Sequence, residues 1–424
     1  MLSLSSPKMF RLATALVLVA QAGCSRGCGC ACRPKPQPAK PAVEKPSGPI
    51  APKTLPGEEQ PEPIFRRPTG KGLRRFAAPK GGEVLSLAAA PAGDQLVAAT
   101  GAWAFVFDSE LGKAKSFKLP GLYAAPVALS LAPPRAAVLV RIPTDWPAGS
   151  LFLFDAAEEK LLKDIDLPGV PVFGASMAGD RLAVVLSEPP SILLFDRDGA
   201  MLAKSPLPDK PVRMQSAVEG TWAAVVTASG VVIIDAGSAG EPSLTPLGIG
   251  PGRLSPSHAL PLRDQVLVVG SADGGKPFAV VASRRQQGAQ HRLAIGSGEV
   301  LGAALGADRS RALVFTRQRA KDTMVALTYL FDTTSWAPAG MIDTGPVLPS
   351  SRSVSVGNEV LVPVCRKVAS LNLATASWSE QYEVPGPETA PCLDGIVRVG
   401  KTLVARDGPQ IAAWSIDSKG LTNP

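Results

Sequence analysis

Leu151-Phe152-Leu153-Phe154-Asp155 is an unbroken apolar run closed by an acid, and the chain repeats it. Ala104-Phe105-Val106-Phe107-Asp108, Ile192-Leu193-Leu194-Phe195-Asp196, Val231-Val232-Ile233-Ile234-Asp235 and Thr328-Tyr329-Leu330-Phe331-Asp332 follow the same plan. Weaker copies lie at Ala279–Ser283, Val368–Asn372 and Ala413–Asp417. The eight copies are spaced 47, 41, 39, 48, 49, 40 and 45 residues apart. Five apolar residues without polar alternation suit a strand covered on both faces. A period in the forties that holds only short strands is the mark of propeller blades.

Two further landmarks fall in phase. Leu119-Pro120-Gly121, Leu167-Pro168-Gly169, Leu207-Pro208, Leu247-Gly248 and Val384-Pro385-Gly386 follow their acid or amide by 11, 12, 11, 12 and 12 residues. Polar turns such as Gly93-Asp94, Gly179-Asp180 and Gly357-Asn358 feed the apolar strand that precedes it. Residues 62–424 divided by eight give roughly 45 per unit, room for four antiparallel strands each. The expected fold is all-β: a propeller of eight four-stranded blades, with seven as the alternative count. The last unit ends after its third strand at Asp417, so Gly70 to Pro79 is expected to supply the missing outer strand and close the ring.

Composition agrees. Of 424 residues, 41 are Gly and 42 are Pro, a density that long helices tolerate badly and tight turns require. The net charge of +8 falls to +6 once Lys8 and Arg11 are removed with a leader, and it is scattered, so nucleic-acid binding is not expected. Only His258 and His291 are present, which excludes a three-His zinc site. No cofactor and no metal are expected.

The N-terminus reads as an address. Lys8 and Arg11 precede the apolar stretch Leu12 to Ala20, and small residues lead to Cys24, so residues 1–23 are expected to be a signal peptide. Gln21-Ala22-Gly23-Cys24 resembles a bacterial lipobox, which implies lipidation of Cys24; ordinary cleavage after Ala22 is the alternative. Ser25 in place of an Asp favours the outer membrane, with the domain facing the periplasm or the outside. Residues 24–61 then form a Cys-, Pro- and Lys-rich linker, and residues 33–68 hold eleven prolines. In polyproline II form such a stretch reaches about 110 Å. Cys28, Cys30 and Cys32 lack the paired Cys-x-x-Cys knuckles of structural zinc, and their fate stays open. Cys365 and Cys392 are the only cysteines of the repeat region. They are expected to bridge across the seventh and eighth units, two separate thiols being the alternative.

Gly270-Ser271-Ala272-Asp273-Gly274-Gly275-Lys276-Pro277 imitates a phosphate loop, but Pro277 stands where a hydroxyl would hold magnesium and a strand follows, so it reads as a hairpin. Asp196-Arg197-Asp198-Gly199 opens like a calcium loop without its later ligands. The recurrent acids Asp108, Asp155, Asp196, Asp235 and Asp332 are expected to accept backbone N–H bonds in the turns that they begin. The candidate binding loops are the connections after a second strand. Arg141 to Ser150 carries Asp145 and Trp146, and Thr316 to Met324 carries Arg317, Arg319 and Lys321.

Over residues 62–424 the chain resembles the bacterial propellers of the WD-repeat, YVTN-repeat and PQQ-like group, and Leu151 to Gly169 is similar to a YVTN-type unit. With no catalytic constellation visible, the expectation is a non-enzymatic, lipid-anchored interaction scaffold, monomeric, on the exported side of a bacterial membrane. It would bind the membrane through its lipid and an unknown protein partner through the propeller. It also resembles the propeller lipoprotein of outer-membrane protein assembly, which implies a membrane-barrel partner. The alternative is an exported propeller enzyme, a lactonase or quinoprotein-like oxidoreductase, with a cofactor in the channel.

Overall fold

Each apolar run becomes the third strand of a four-stranded antiparallel sheet, and eight such sheets form. The computed structural model describes residues 73–416 apart from 91–92, 113, 143–147, 178–180, 218–219, 236–242, 251–252, 287, 321–322, 345–352 and 386–389. The leader, Cys24 and the linker lie outside the described residues. In blades 1 to 7 the strands pair in chain order, from the first strand of blade 1 (Ser86–Ala89) to the last of blade 7 (Ser377–Glu383). The first strands of successive blades abut around the axis, and that of blade 8 (Asp394–Val399) meets that of blade 1.

No blade has a core of its own. The buried apolar residues fall into eight clusters, and each is shared by two neighbouring blades. In the third strand of blade 2 (Ala148–Asp155), Phe152 and Phe154 pack toward blade 1, while Leu151 and Leu153 pack toward blade 3. Alternate side chains point to opposite faces of a strand, and here both faces are covered. That is why the run is apolar throughout. The outer strand of the same blade (Lys160–Leu167) returns to a mixed polar pattern because solvent reaches it.

The ring closes with a strand from the other end of the chain. Arg74–Ala77 pairs antiparallel with the third strand of blade 8 (Gln410–Ser415), Arg74 opposite Ala413 and Ala77 opposite Gln410. Phe76 packs in the cluster between blades 8 and 1. Around this seam, Arg75 lies 3.6 Å and Arg366 3.0 Å from the carboxylate of Asp407. Arg75 also donates to the carbonyl of Pro385, and Arg406 donates to that of Leu85 at 2.9 Å.

Cys365 and Cys392 are joined in a disulfide, with Cα atoms 4.0 Å apart. Neither lies in a strand. Cys365 sits in the turn after Glu359–Val364, and Cys392 lies in the connection that leads to Asp394–Val399.

Phe154 is fully buried, and its ring lies 4.9 Å from that of Phe117 on the neighbouring blade. Phe154→Ala is therefore expected to destabilise the ring by about 3–5 kcal/mol, read as a lower midpoint in urea unfolding.

Candidate functional site

Two classes of turn share one face of the ring: the turns from second to third strand and the connections from outer strand to next blade. On that face three hairpins have the longest strands. Blade 2 contributes Arg135–Ile142 with Ala148–Asp155, blade 5 Gln265–Ala272 with Lys276–Ser283, and blade 6 Arg311–Ala320 with Thr323–Asp332. Blades 2 and 6 are four apart in a ring of eight, so their hairpins flank the axis from opposite sides. The Gly-rich stretch forms the tip of the blade 5 hairpin, with Gly274 and Gly275 at φ 74° and 73°, a region that glycine enters without strain.

Of the long connections expected after second strands, that of blade 6 is mostly strand, and the middle of that of blade 2 lies outside the described residues. Thr316 to Ala320 and Thr323–Met324 continue the ladder, with Arg317 opposite Ala326 and Arg319 opposite Met324. Cross-strand pairing satisfies the backbone groups that a loop would leave to water. Arg141 and Ser150 likewise lie within strands and pair with Gly149 and Val140. Arg317 is an ion-pair partner of Glu299, its Nε donating at 3.1 Å, which places it on a polar blade flank. Arg319 sits two residues further toward the hairpin tip. Asp145, Trp146 and Lys321 lie outside the described residues, so the structure assigns no grouping to the five candidates.

Four of the five recurrent acids accept backbone N–H bonds in the turns after their strands, and the turn after Asp235 lies outside the described residues. The Oδ1 of Asp108 accepts from Glu110 and Gly112, that of Asp155 from Ala157 and Glu158, that of Asp196 from Asp198 and Ala200, and that of Asp332 from Thr334 and Ser335. Two of the three weaker copies do the same: Ser283 accepts from Arg285 and Gln286, and Asn372 from Ala374 and Thr375. The N–H groups of Glu158 and Ser335 are the main reason that the carboxyls of Asp155 and Asp332 stay below the usual carboxylate range. Arginines at the start of second strands reinforce two of these turns, Arg135 at 3.2 Å from Asp155 and Arg311 beside Asp332.

The opposite face carries a cavity of about 190 Å³ between blades 2 and 3. Leu131, Pro133 and Pro134 form its apolar wall, and Arg135, Ser176 and Arg197 its polar one. Asp155 and Asp198 oppose the two guanidiniums, so the wall is polar and nearly balanced in charge. Among the described residues, no three His, Cys, Asp or Glu side chains gather at a spacing that would hold a metal ion.

His258 is the buried titratable group that the sequence pattern did not mark. It lies in the first strand of blade 5 (Leu254–Leu262) and is 6% exposed. Its Nδ1 is 3.0 Å from the Oγ of Ser257, which itself donates to the carbonyl of Val269. Nδ1 therefore carries the proton, and Nε2 is left buried without a hydrogen-bond partner. Burial, helped by the charge of Arg213, pushes its pKa down to about 3.

No protein-family model matches the chain, and no curated protein is significantly similar to it. Solved structures do match. The C-terminal WD40 domain of Sif2 aligns over 82% of this chain and 98% of its own, at 11% identity and a TM-score of 0.59. The WD40 domain of SCAP from fission yeast aligns over 81% and 98%, at 10% identity and a TM-score of 0.56. The β-propeller domain of Myceliophteria thermophila Cps50 (Swd1) covers 82% and 99%, at 11% identity and a TM-score of 0.53. At such identities the likeness establishes the fold: a WD40-like β-propeller.

His258 gives stability a defined pH dependence. Its folded pKa is below the ordinary 6.5, so its contribution is whole above pH 6.5 and is lost as pH falls toward 3, at up to about 1.4 kcal/mol per unit. The carboxylates of Asp155 and Asp332 act with the same sign, but only below the usual carboxylate range. His258→Gln is therefore expected to flatten the fall in urea midpoint between pH 6.5 and 4.5.

Proposed function

We propose that the protein is a non-enzymatic, lipid-anchored propeller that presents a rigid interaction surface on the exported side of a bacterial membrane. The reading is supported by the order of parts along the chain: a stretch that reads as an export signal before Cys24, a proline-rich segment, and then a ring closed by the strand Arg74–Ala77. The fold suits that task. Eight shared cores hold the blades as one body, and the hairpins of blades 2, 5 and 6 project from one face of it. Loops and hairpins on a rigid scaffold are where binding residues concentrate. A membrane barrel protein under assembly is the partner class that this reading favours, because an outer-membrane lipid places the ring beside such chains.

Two experiments test the reading. Cys24→Ala is expected to move the protein from the membrane to the soluble exported fraction, and retention at wild-type levels after a high-salt wash would refute anchoring by lipid. A photo-crosslinking residue at Arg319 is expected to capture a defined envelope protein in intact cells, whereas one at Leu122 on the same face is the comparison. Stoichiometric calcium or a quinone absorbance band in the purified protein would favour the enzyme reading instead.

A further inference from the structure

The disulfide lies beside the seam of the ring, and it is open to solvent. Cys365 and Cys392 are both exposed, although Pro363, two residues before the first, and Leu393, next to the second, are buried. Cys365 takes a left-handed backbone, φ 49°, at the tip of its turn, where a β-carbon is disfavoured. The next residue, Arg366, is largely buried and holds the facing connection at two points. Its Nε donates to the carbonyl of Val384 at 3.1 Å, and its Nη1 to that of Pro391 at 2.7 Å. The N–H of Leu393 donates to the carbonyl of Cys365 at 2.8 Å. Arg366 and Arg75 both lie against the carboxylate of Asp407.

We infer that the Cys365–Cys392 bridge is a thiol-exchange site on the folded protein, and that a dithiol acting on it loosens the seam between blades 7 and 8. One thiolate of the dithiol attacks the sulfur of Cys392. The S–S bond breaks, and its electron pair leaves on the sulfur of Cys365, next to Arg366. A nearby guanidinium stabilises a leaving thiolate and so speeds exchange. The second thiol of the reagent then attacks its own sulfur in the mixed disulfide and releases Cys392. The dithiol ends as a cyclic disulfide, oxidised by two electrons, and its two protons end on the two cysteines. Among the described residues, the hydrogen bond from Leu393 and the two that Arg366 makes also cross the gap, and the one to Pro391 is exposed. The connection that they hold adjoins Asp407 and, through Pro385, the closing strand.

The test uses the full chain with dithiothreitol, alkylation and mass spectrometry of the peptides that carry Cys365 and Cys392. The expected reduction rate is linear in dithiothreitol and insensitive to low urea. Arg366→Gln is expected to slow it three- to tenfold. Hydrogen exchange of the reduced protein is expected to rise at 392–393 and in the closing strand 74–77 while blades 2 to 5 stay protected, and Cys365→Ser/Cys392→Ser should reproduce that pattern without reductant. A rate that saturates at the rate of global unfolding overturns the inference, as does an exchange pattern unchanged at the seam in both the reduced and the double-serine protein.

Discussion

The structure rests on burial shared between blades. A single four-stranded sheet of this chain has two apolar faces and nothing within itself to cover them, so each blade is stable only with a neighbour on either side. Phe154 meets Phe117 of the preceding blade, Leu153 meets blade 3, and the pattern passes around until Phe107 and Ile411 share the cluster between blades 1 and 8. Such an arrangement has no end at which it can stop without leaving a face exposed. Closure is therefore a condition of the fold, and the device that provides it is the pairing of Arg74–Ala77 with the third strand of blade 8.

Polar side chains set the geometry around those cores. Asp108, Asp155, Asp196 and Asp332, each at the end of a third strand, fix the following turn through backbone N–H groups, and this positions the outer strand. Others reach across blades. Trp336 donates from blade 6 to Gln265 of blade 5 at 3.0 Å, and Trp378 donates from blade 7 to the carbonyl of Asp343 of blade 6 at 3.1 Å. Gln95 donates from blade 1 to the carbonyl of Arg135 of blade 2 at 2.9 Å. Ties of this kind stop one sheet from sliding over the next, which apolar contact alone does not prevent. At the seam their place is taken by Arg75, Arg366, Asp407 and the disulfide.

The blades were legible because covering both faces of a strand leaves a continuous apolar run, and because the turn acid recurs with it. The closing strand was legible by subtraction, since the last unit lacked its outer strand. The blade 6 hairpin was not. Beyond the body of the ring both of its faces meet solvent, so Arg317, Gln318 and Arg319 carry the polarity of a loop while keeping the pairing of strands. His258 carried no periodic signal either: one buried imidazole stands between Ser257 and the apolar end of the inner strand, and its lack of a partner at Nε2 depends on what surrounds it in three dimensions. The interblade bond from Trp336 to Gln265 links residues 71 apart, and no spacing rule would pair them.

The strand that closes the ring comes from the N-terminal side of the chain, so the first described strand is itself part of the closure. The claim that closure by this strand holds the blades together is tested most directly by deleting residues 73–78 from the full chain and following hydrogen exchange blade by blade. The account predicts that protection is lost first in blade 8 and then in blades 7 and 1, with a lower and broader unfolding transition. A deletion variant that keeps the full chain's protection and midpoint would contradict it.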